Sequence, residues 1–196
     1  MPAALDLATI AARLAPSRSA GHQPRPGSHA AVAAVLRTGT AGAEVLLIQR
    51  AERAGDPWSG HMAFPGGRRD AADRDLVATA VRETREEVGL DLDTHGALLG
   101  RLADVDAVAK ARRTGLTVTP FVFALEREVE LTFDATEVAA ALWAPLGPLA
   151  RGESAGTVPY TIEGRTLDLP CWRVEGRVVW GLTYQMLRSL FEVLEG

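Results

Sequence analysis

The sequence contains one cysteine in 196 residues, which excludes an intramolecular disulfide framework and a zinc site built from cysteines. Cys171 lies in an apolar stretch typical of a strand, and we expect its thiol to be packed and unreactive. The sequence also lacks any apolar run near the roughly 20 residues that cross a bilayer, so we expect no membrane contact. Because Met1 to Pro16 shows no basic stretch ahead of an apolar run, we expect no signal peptide and a cytoplasmic location.

An excess of positive charge is missing as well. The formal net charge is −4 and the isoelectric point is about 5.6. A nucleic-acid backbone as the main partner requires a clustered positive surface, so the composition argues against that class of partner. The hydrophobic fraction of 47% and the charged fraction of 23% are typical of one globular domain that buries its core without disulfides.

The beginning of the chain differs in pattern from the rest. Helical spacing relates four apolar residues, Leu7, Ile10, Ala11 and Leu14. The stretch from Pro16 to Ser28 has no such periodicity and is typical of a linker. We therefore predict an N-terminal helix and linker arm in residues 1–28 and one domain in residues 29–196. A homodimer that uses this arm as a contact is one assembly that the sequence allows.

Apolar segments of strand character alternate with helical patterns along the main part of the chain. Predicted strands run from Ala30 to Leu36, Glu44 to Gln49, Leu98 to Val105 and Leu116 to Leu125, with a polar insertion from Asp106 to Gly115. Further predicted elements are a short helix from Asp134 to Leu142, a strand at Trp143, hairpins at 161–166 and 173–178, and a helix from Thr183 to Leu194. This mixture predicts an α/β fold of the α+β kind, with a mixed sheet between helices.

The clearest predicted element is a helix that ends near Gly89. Asp73 or Asp75 can cap its first turn, and Gly89 stands where a left-handed C-terminal cap belongs. The face expected to pack on the core consists of residues spaced by four, three and four positions: Val77, Val81, Thr84 and Val88.

Three glutamates occupy one edge of that helix. Glu83, Glu86 and Glu87 lie three and four residues apart, so they share an arc of roughly 100° that points away from the apolar face. Like charges at these spacings repel each other, and hard divalent cations favour carboxylate oxygens. The edge is therefore either a magnesium or manganese site or a solvated acidic face paired with Arg82 and Arg85.

A glycine turn upstream favours the metal site. Phe64 to Gly67 forms a tight backbone, since glycine adopts conformations that other residues resist. Such a turn can bring the carbonyl oxygen of Gly66 or Gly67 towards the same helix edge. One carbonyl and several carboxylates together are a suitable ligand set for Mg²⁺ or Mn²⁺.

These residues resemble the Nudix box, a loop–helix–loop signature. The matching residues are Gly67, Arg82, Glu83, Glu86, Glu87, Gly89 and Leu90. The sequence departs from the signature in a spacing that is one residue longer before Arg82, and in Asp73 and Thr84, where the family has glutamate and an aliphatic residue. The resemblance implies a Nudix-type α/β/α sandwich with a mixed β-sheet, a divalent metal cofactor (Mg²⁺ or Mn²⁺), and attack by water on a small-molecule diphosphate.

The similarity extends over about residues 30–194 to the coenzyme A pyrophosphatase branch of Nudix hydrolases. It is carried by Phe64 to Gly67, Val118 to Pro120, Trp180 to Thr183 and part of Leu46 to Ala51. The resemblance implies a Nudix pyrophosphohydrolase, a hydrolase of acid anhydrides, that acts on coenzyme A or an acyl-CoA. The alternatives are hydrolysis of another nucleoside diphosphate-linked compound, such as a nucleotide sugar, and a non-catalytic nucleotide-binding Nudix domain.

The resemblance also implies roles for individual residues. The predicted metal ligands are Glu83, Glu86, Glu87 and the carbonyl of Gly67 or its neighbour Gly66. Arg82 would orient a glutamate through a two-point ion pair, which suits a planar guanidinium. The candidates for the general base are Glu83, Glu86 and Glu137, the last because it precedes Trp143 by six residues, as a functional glutamate does in some Nudix enzymes.

Two residues in the loop before the glycine turn have alternative roles. Trp58 either covers an edge of the core or stacks on a base, since an indole suits both environments. His61 either holds the loop through a hydrogen bond or takes part in catalysis.

Overall fold

The computed structural model describes residues 5–18, 27–56, 58–109, 112–162 and 164–195. The helices are α1 (Leu7–Arg18), α2 (Leu76–Val88), α3 (Leu92–His95), α4 (Leu146–Ala150) and α5 (Gly181–Glu195). The strands are β1 (Ser28–Gly39), β2 (Gly42–Arg50), β3 (Met62–Ala63), β4 (Gly66–Arg68), β5 (Gly96–Arg101), β6 (Val105–Ala109), β7 (Arg112–Leu125), β8 (Val138–Pro145), β9 (Ala155–Ile162), β10 (Arg165–Val174) and β11 (Arg177–Trp180). In these ranges, no helix combines the length and apolar character that crossing a membrane requires.

The main sheet has eight strands and is mixed, as predicted. Its central path is β3-β2-β1-β7-β5, while β4 pairs with β1, β6 with β7, and β8 with β2. Strands β1 and β7 run parallel, and the other pairs are antiparallel. A second sheet of three strands has the order β11-β10-β9 and contains both predicted hairpins.

Helices cover both faces of the main sheet. Successive side chains of a strand point to opposite faces, so β1 contributes to two apolar clusters in alternation. One cluster joins Ala31, Ala33 and Val35 to residues of α2, and the other joins Val32, Ala34 and Leu36 to residues of α1 and α5. This arrangement confirms the predicted α/β/α sandwich.

Helix α1 packs against β5, the strand at one end of the central path. The Ser17 hydroxyl accepts a hydrogen bond from the Arg101 N–H at 3.1 Å and donates one to the Leu14 carbonyl at 2.8 Å. Gly100 permits this contact, because a Cβ there would lie 2.7 Å from the Leu14 carbonyl oxygen. The predicted N-terminal helix is therefore confirmed, although it continues through Pro16, where a linker was expected.

The division of the chain into an arm of residues 1–28 and a domain of residues 29–196 stays a prediction. Residues 1–4 and 19–26 of the arm lie outside the described residues. Strand β1 begins at Ser28 and pairs at once with β7, so the sheet starts one residue earlier than the predicted domain.

Two predictions for the second half of the chain are wrong. The described residues of the polar insertion predicted from Asp106 to Gly115 belong to two strands, β6 and β7, which pair with each other. The helix predicted from Asp134 to Leu142 is a turn followed by β8, which pairs with β2 from Pro145 back to Val138. Pairing with a neighbouring strand satisfies the backbone of this segment and buries its alternate side chains, and this tertiary contact outweighs the local helical pattern.

Both ends of α2 have caps. Asp75, rather than Asp73, is the N-cap, and its carboxylate accepts a hydrogen bond from the Ala78 N–H at 2.8 Å. Gly89 has the left-handed conformation, with φ of +67°, and its N–H donates to the Arg85 carbonyl. The glycine suits this position because a residue with a Cβ is strained at such a φ.

The buried face of α2 differs slightly from the predicted one. Thr84 and Val88 are fully buried, as expected, whereas Val77 is half-buried because Ala80 faces the sheet instead. The Thr84 hydroxyl donates to the Ala80 carbonyl at 2.7 Å, which satisfies the polar group that stands where an aliphatic residue was expected.

We expect Asp75→Ala to lower the free energy of unfolding by about 1 kcal/mol, because it removes the N-cap of α2. The melting temperature should fall by roughly 2–4 °C, measured by circular dichroism. Asp75→Asn is the matched control, since it keeps a capping oxygen and removes the charge. Equal melting temperatures for the alanine variant and the unaltered protein would contradict the role of the cap.

Candidate functional site

Two glycines bring the short strand β4 into close contact with α2. Gly66 pairs with Val32 and Gly67 with Ala31 on β1. A Cβ on Gly66, whose φ is +152°, would collide with the backbone of β1, and a Cβ on Gly67 would collide with the Glu83 carboxylate. The glycine turn therefore approaches the glutamate edge of the helix, as its sequence predicted.

Glu87 is buried beside this turn, with only 4% of its surface exposed. Its carboxylate accepts a hydrogen bond from the Gly66 N–H at 2.8 Å, and the guanidinium of Arg50 lies 4.0 Å away. Burial raises the pKa of Glu87 to about 7, because the charged carboxylate is poorly solvated. The sequence placed Glu87 on an exposed edge, and its burial corrects that expectation.

Glu83 lies beside the same turn and is largely covered. Its Oε1 accepts a hydrogen bond from Nη1 of Arg82 at 2.9 Å. Burial raises the pKa of Glu83, and the contact with Arg82 opposes that shift. Together, Glu83 and Glu87 contribute two carboxylates with raised pKa values to one cleft.

The Arg82 guanidinium makes its two-point ion pair with Asp73, not with a glutamate as predicted. Nε and Nη2 donate to the two Asp73 oxygens, both at 3.0 Å. The contact holds the pKa of the Asp73 carboxyl well below its usual range and raises the pKa of Arg82. Nη1 remains for Glu83 and Glu86, so each glutamate receives a single bond.

Glu86 lies apart from the other two glutamates. Its side chain is 55% exposed and accepts from Arg82 Nη1 at 3.0 Å, on a surface that it shares with Asp73 and Arg85. In the described ranges, no three His, Cys, Asp or Glu side chains are grouped so that they could hold a metal ion together. The structure thus brings Glu83, Glu87 and Gly67 to one cleft and leaves Glu86 outside it.

The cleft has a volume of about 450 Å³, which suits a small-molecule ligand. One part of its lining is charged and contains Glu83, Glu87, Glu137, Arg50 and Arg53. Another part is apolar and includes Trp58, Met62, Val118, Trp180, Leu182 and Met186. The cleft can therefore receive a ligand with an anionic portion and an apolar or aromatic portion.

Glu137 reaches the cleft from the turn before β8. The Arg53 guanidinium holds this turn by donating to the Thr136 carbonyl at 2.9 and 3.2 Å, and to Oε1 of Glu137 at 3.1 Å. The Glu137 backbone is fixed as well, because its carbonyl accepts from the Ala51 N–H at 2.8 Å. A tertiary contact therefore positions Glu137 in the cleft, although the predicted helix around it is absent.

Arg50, Arg53 and Arg68 line the cleft, and none of them was predicted as a site residue from the sequence. Arg50 ends β2, and its Nη2 contacts the Asp56 carboxylate at 2.9 Å. The signal that could have identified Arg50 is its place directly after an apolar strand, where a side chain reaches the sheet edge. No local signal distinguishes Arg53 from other exposed arginines, because its partners Thr136 and Glu137 lie more than 80 residues away in sequence.

The loop residues Trp58 and His61 both line the cleft. Trp58 also packs on the apolar cluster that includes residues of α1 and α5, which agrees with its predicted role of covering an edge of the core. The His61 ring lies 4.8 Å from the Trp180 ring between centroids, and burial lowers the pKa of His61. A neutral imidazole beside an indole extends the aromatic part of the lining.

The residues of the cleft fit a divalent cation by their chemistry. Two carboxylates, Glu83 and Glu87, face the cleft beside a glycine backbone, and the Arg50 guanidinium lies 4.0 Å from the buried carboxylate of Glu87. A hard cation binds carboxylate and carbonyl oxygens, and it would favour the charged form of Glu87 that burial disfavours. Glu86 could join this set only by turning its exposed side chain away from Arg82.

Similarity to known proteins shows which family the chain belongs to. A family model described as the NUDIX domain matches residues 27–159. The Nudix hydrolase NudL of Yersinia enterocolitica is 32% identical over 178 residues, which are 89% of this chain and 88% of that protein. A protein of Schizosaccharomyces pombe is 43% identical over 107 residues, which are 54% of this chain. The chain spans 32% of the length of the yeast relative and 65% of that of NudL from an Enterobacter species.

Solved structures support the fold. The crystal structure of the MutT protein from Methanosarcina mazei superposes with a TM-score of 0.53 at 18% identity, over 89% of this chain and 96% of that one. The predicted membership of the Nudix family is confirmed by the family model and by the NudL relative. The family model covers most of the chain and contains the glycine turn, α2 and Glu137, so the protein belongs to the Nudix family.

Proposed function

We propose that this Nudix protein is a divalent-metal-dependent hydrolase that cleaves a diphosphate bond of coenzyme A or an acyl-CoA. Water attacks one phosphorus atom, the bridging P–O bond breaks, and two phosphate monoesters leave. The observation that carries the proposal is the buried Glu87 carboxylate beside Glu83 and Gly67, in a cleft that is also lined by Arg50 and Arg53.

The proposed metal ligands are Glu83, Glu86, Glu87 and the Gly67 carbonyl. When bound, Mg²⁺ or Mn²⁺ would neutralise the diphosphate oxygens and lower the pKa of water. The Gly66 N–H fixes the Glu87 carboxylate, and Arg82 limits the positions that the Glu83 and Glu86 carboxylates can adopt. These contacts orient the acidic groups before a substrate arrives, which reduces the reorganisation that the reaction requires.

The charged and apolar parts of the cleft support a substrate of the coenzyme A type. Arg50 and Arg53 provide guanidinium groups that bind phosphate oxygens. The apolar part, with Met62, Leu182 and Met186, suits an aliphatic chain such as the pantetheine or acyl portion. A nucleotide sugar would place hydroxyl groups against this apolar lining and would leave them without partners there.

A panel of substrates tests the assignment. We expect Mg²⁺- or Mn²⁺-dependent release of two phosphate monoesters from coenzyme A and acetyl-CoA, with their masses identifying the bond broken. UDP-glucose should be hydrolysed more slowly. Turnover of UDP-glucose alone would overturn the substrate class, and binding without turnover of any diphosphate would overturn the enzymatic proposal.

Substitutions of the glutamates test the proposed ligand set. We expect Glu83→Gln, Glu86→Gln and Glu87→Gln each to lower kcat/KM by roughly 100-fold or more, since even loss of an outer contact to a metal ligand costs about 10–100-fold. Glu130→Gln is the matched control, because Glu130 is an exposed glutamate outside the cleft. Full activity of Glu86→Gln would remove Glu86 from the ligand set, and full activity of all three variants would refute the site.

The raised pKa of Glu87 predicts a pH-dependent stability for the metal-free protein. The folded state binds the proton more tightly than the unfolded state, so this stabilisation is present below about pH 4.5 and is lost as the pH rises through about 7. With EDTA present, we expect the melting temperature to fall by roughly 5–10 °C between pH 5 and pH 8.

Glu87→Gln should remove most of that slope, because glutamine still accepts from the Gly66 N–H and does not titrate. Glu130→Gln should keep the slope of the unaltered protein. Identical slopes for Glu87→Gln and the unaltered protein, measured by differential scanning calorimetry, would show that another group is responsible.

We propose Glu137 as the general base, since its carboxylate lines the cleft and is held there by Arg53. Glu137→Gln should lower kcat by roughly 10²–10⁴-fold with little change in KM. The exposed glutamate Glu52 gives the control Glu52→Gln. An unchanged kcat for Glu137→Gln would return the role to Glu83 or Glu86.

A further inference from the structure

Trp180 differs from the other tryptophans of the chain in its surroundings. Trp172 is buried in one apolar cluster, and Trp58 and Trp143 pack against the two clusters. Trp180 belongs to neither cluster, is half-buried, and lines the cleft. A large aromatic side chain that lines a cleft outside both apolar clusters is placed where a ligand can contact it.

Strand geometry directs Trp180 towards the cleft. On β11, the preceding residue Val179 is fully buried in the core, and successive side chains of a strand point to opposite faces. The pairing of Trp180 with Cys171 of β10 holds its backbone in register. Trp180 lies outside residues 27–159, the range that matches the family model.

Two aromatic rings contact Trp180, and neither lies parallel to its indole. His61 lies 4.8 Å away with an interplanar angle of 56°, and Tyr160 lies 5.1 Å away with an angle of 53°. Both rings are therefore tilted and support the indole without lying parallel to it. A planar aromatic group can stack on the face of an indole, because offset stacking is a favoured arrangement of two rings.

A continuous set of contacts connects Trp180 with the charged part of the cleft. The His61 carbonyl accepts from the Arg50 N–H at 3.0 Å, and the Arg50 guanidinium lies 4.0 Å from Glu87. The indole thus contacts the loop residue His61, and the backbone of His61 is bonded to Arg50 at the end of β2. A ligand that carries a planar ring and a diphosphate could contact both at once.

We propose that Trp180 forms a stacking subsite for the nucleobase of a nucleoside diphosphate-containing ligand. The inference rests on the proposed function for the place of the phosphates, and it adds the residue that binds the base by stacking. Trp180 acts in binding and does not contact the reacting atoms. His61 and Tyr160 act as supports that hold the indole in its orientation.

Calorimetric titration of the full chain with two inert probes in Mg²⁺ tests this subsite. The probes are α,β-methylene-ADP, which carries a base, and methylenediphosphonate, which does not. Trp180→Ala should weaken binding of the first probe about tenfold or more, as expected for the loss of one base–aromatic stack, and should leave binding of the second unchanged. Trp180→Phe should restore most of the affinity.

Trp143→Phe is the matched control, because Trp143 lies outside the cleft under the Arg37 guanidinium and should not alter the binding of either probe. In kinetic assays, Trp180→Ala should raise KM and change kcat little. Equal affinity of Trp180→Ala and the unaltered protein for α,β-methylene-ADP would overturn the subsite. So would equal weakening of both probes, since Trp180 would then act on the phosphate end.

The binding experiment is independent of turnover. If no diphosphate is hydrolysed but Trp180→Ala still loses affinity for the probe with a base, the subsite stands and the proposed hydrolysis fails. If hydrolysis proceeds and Trp180→Ala binds both probes normally, the hydrolase stands and the subsite fails.

Discussion

The ion pair between Arg82 and Asp73 determines how the loop before α2 meets the helix. Asp73 also accepts bonds from the Asp70 N–H and the Thr79 hydroxyl, so this carboxylate is bonded from both the loop and the helix. Because two guanidinium nitrogens are used there, one remains for Glu83 and Glu86. The positions of the Glu83 and Glu86 carboxylates therefore depend on the ion pair between Arg82 and Asp73, which lies outside the cleft. A lysine could not replace Arg82, since an ammonium group lacks the planar fork that serves Asp73 and the glutamates together.

Burial gives Glu83 and Glu87 properties that an exposed acidic helix face would lack. Coulomb repulsion between two solvated carboxylates is weak, whereas carboxylates in a cleft lose solvation and hold protons more tightly. The Gly66 N–H and Arg50 compensate Glu87 only in part, since burial still raises its pKa to about 7. Negative charge that the protein does not fully compensate favours the cation of the proposed site. The same property lowers the stability of the empty protein at neutral pH, which is a cost that functional sites commonly carry.

Sequence patterns correctly predicted those elements that are stabilised by contacts between residues close together in the chain. The caps of α2 at Asp75 and Gly89 and the spacing of its apolar residues were sufficient to identify that helix. The burial of Glu87 could not be predicted, because its partner Gly66 lies 21 residues earlier and the helical period alone grouped Glu87 with the exposed Glu86. The prediction of a helix around Glu137 was wrong for a similar reason, since β8 pairs with β2, which lies some 90 residues earlier in the sequence. Resemblance to the Nudix box predicted the residues of the proposed site, and tertiary contacts distribute them between the cleft and the surface.

Helix α1 has a consequence for the behaviour of the chain in concentrated solution. The last strand of an open sheet carries unpaired backbone groups, and another chain can add a strand there. On β5 the Arg101 N–H already donates a hydrogen bond to the Ser17 hydroxyl, and Gly100 lies directly beneath the helix. Shielding of this kind discourages intermolecular sheet growth, so the segment that appears most dispensable in the sequence protects the molecule from self-association into aggregates.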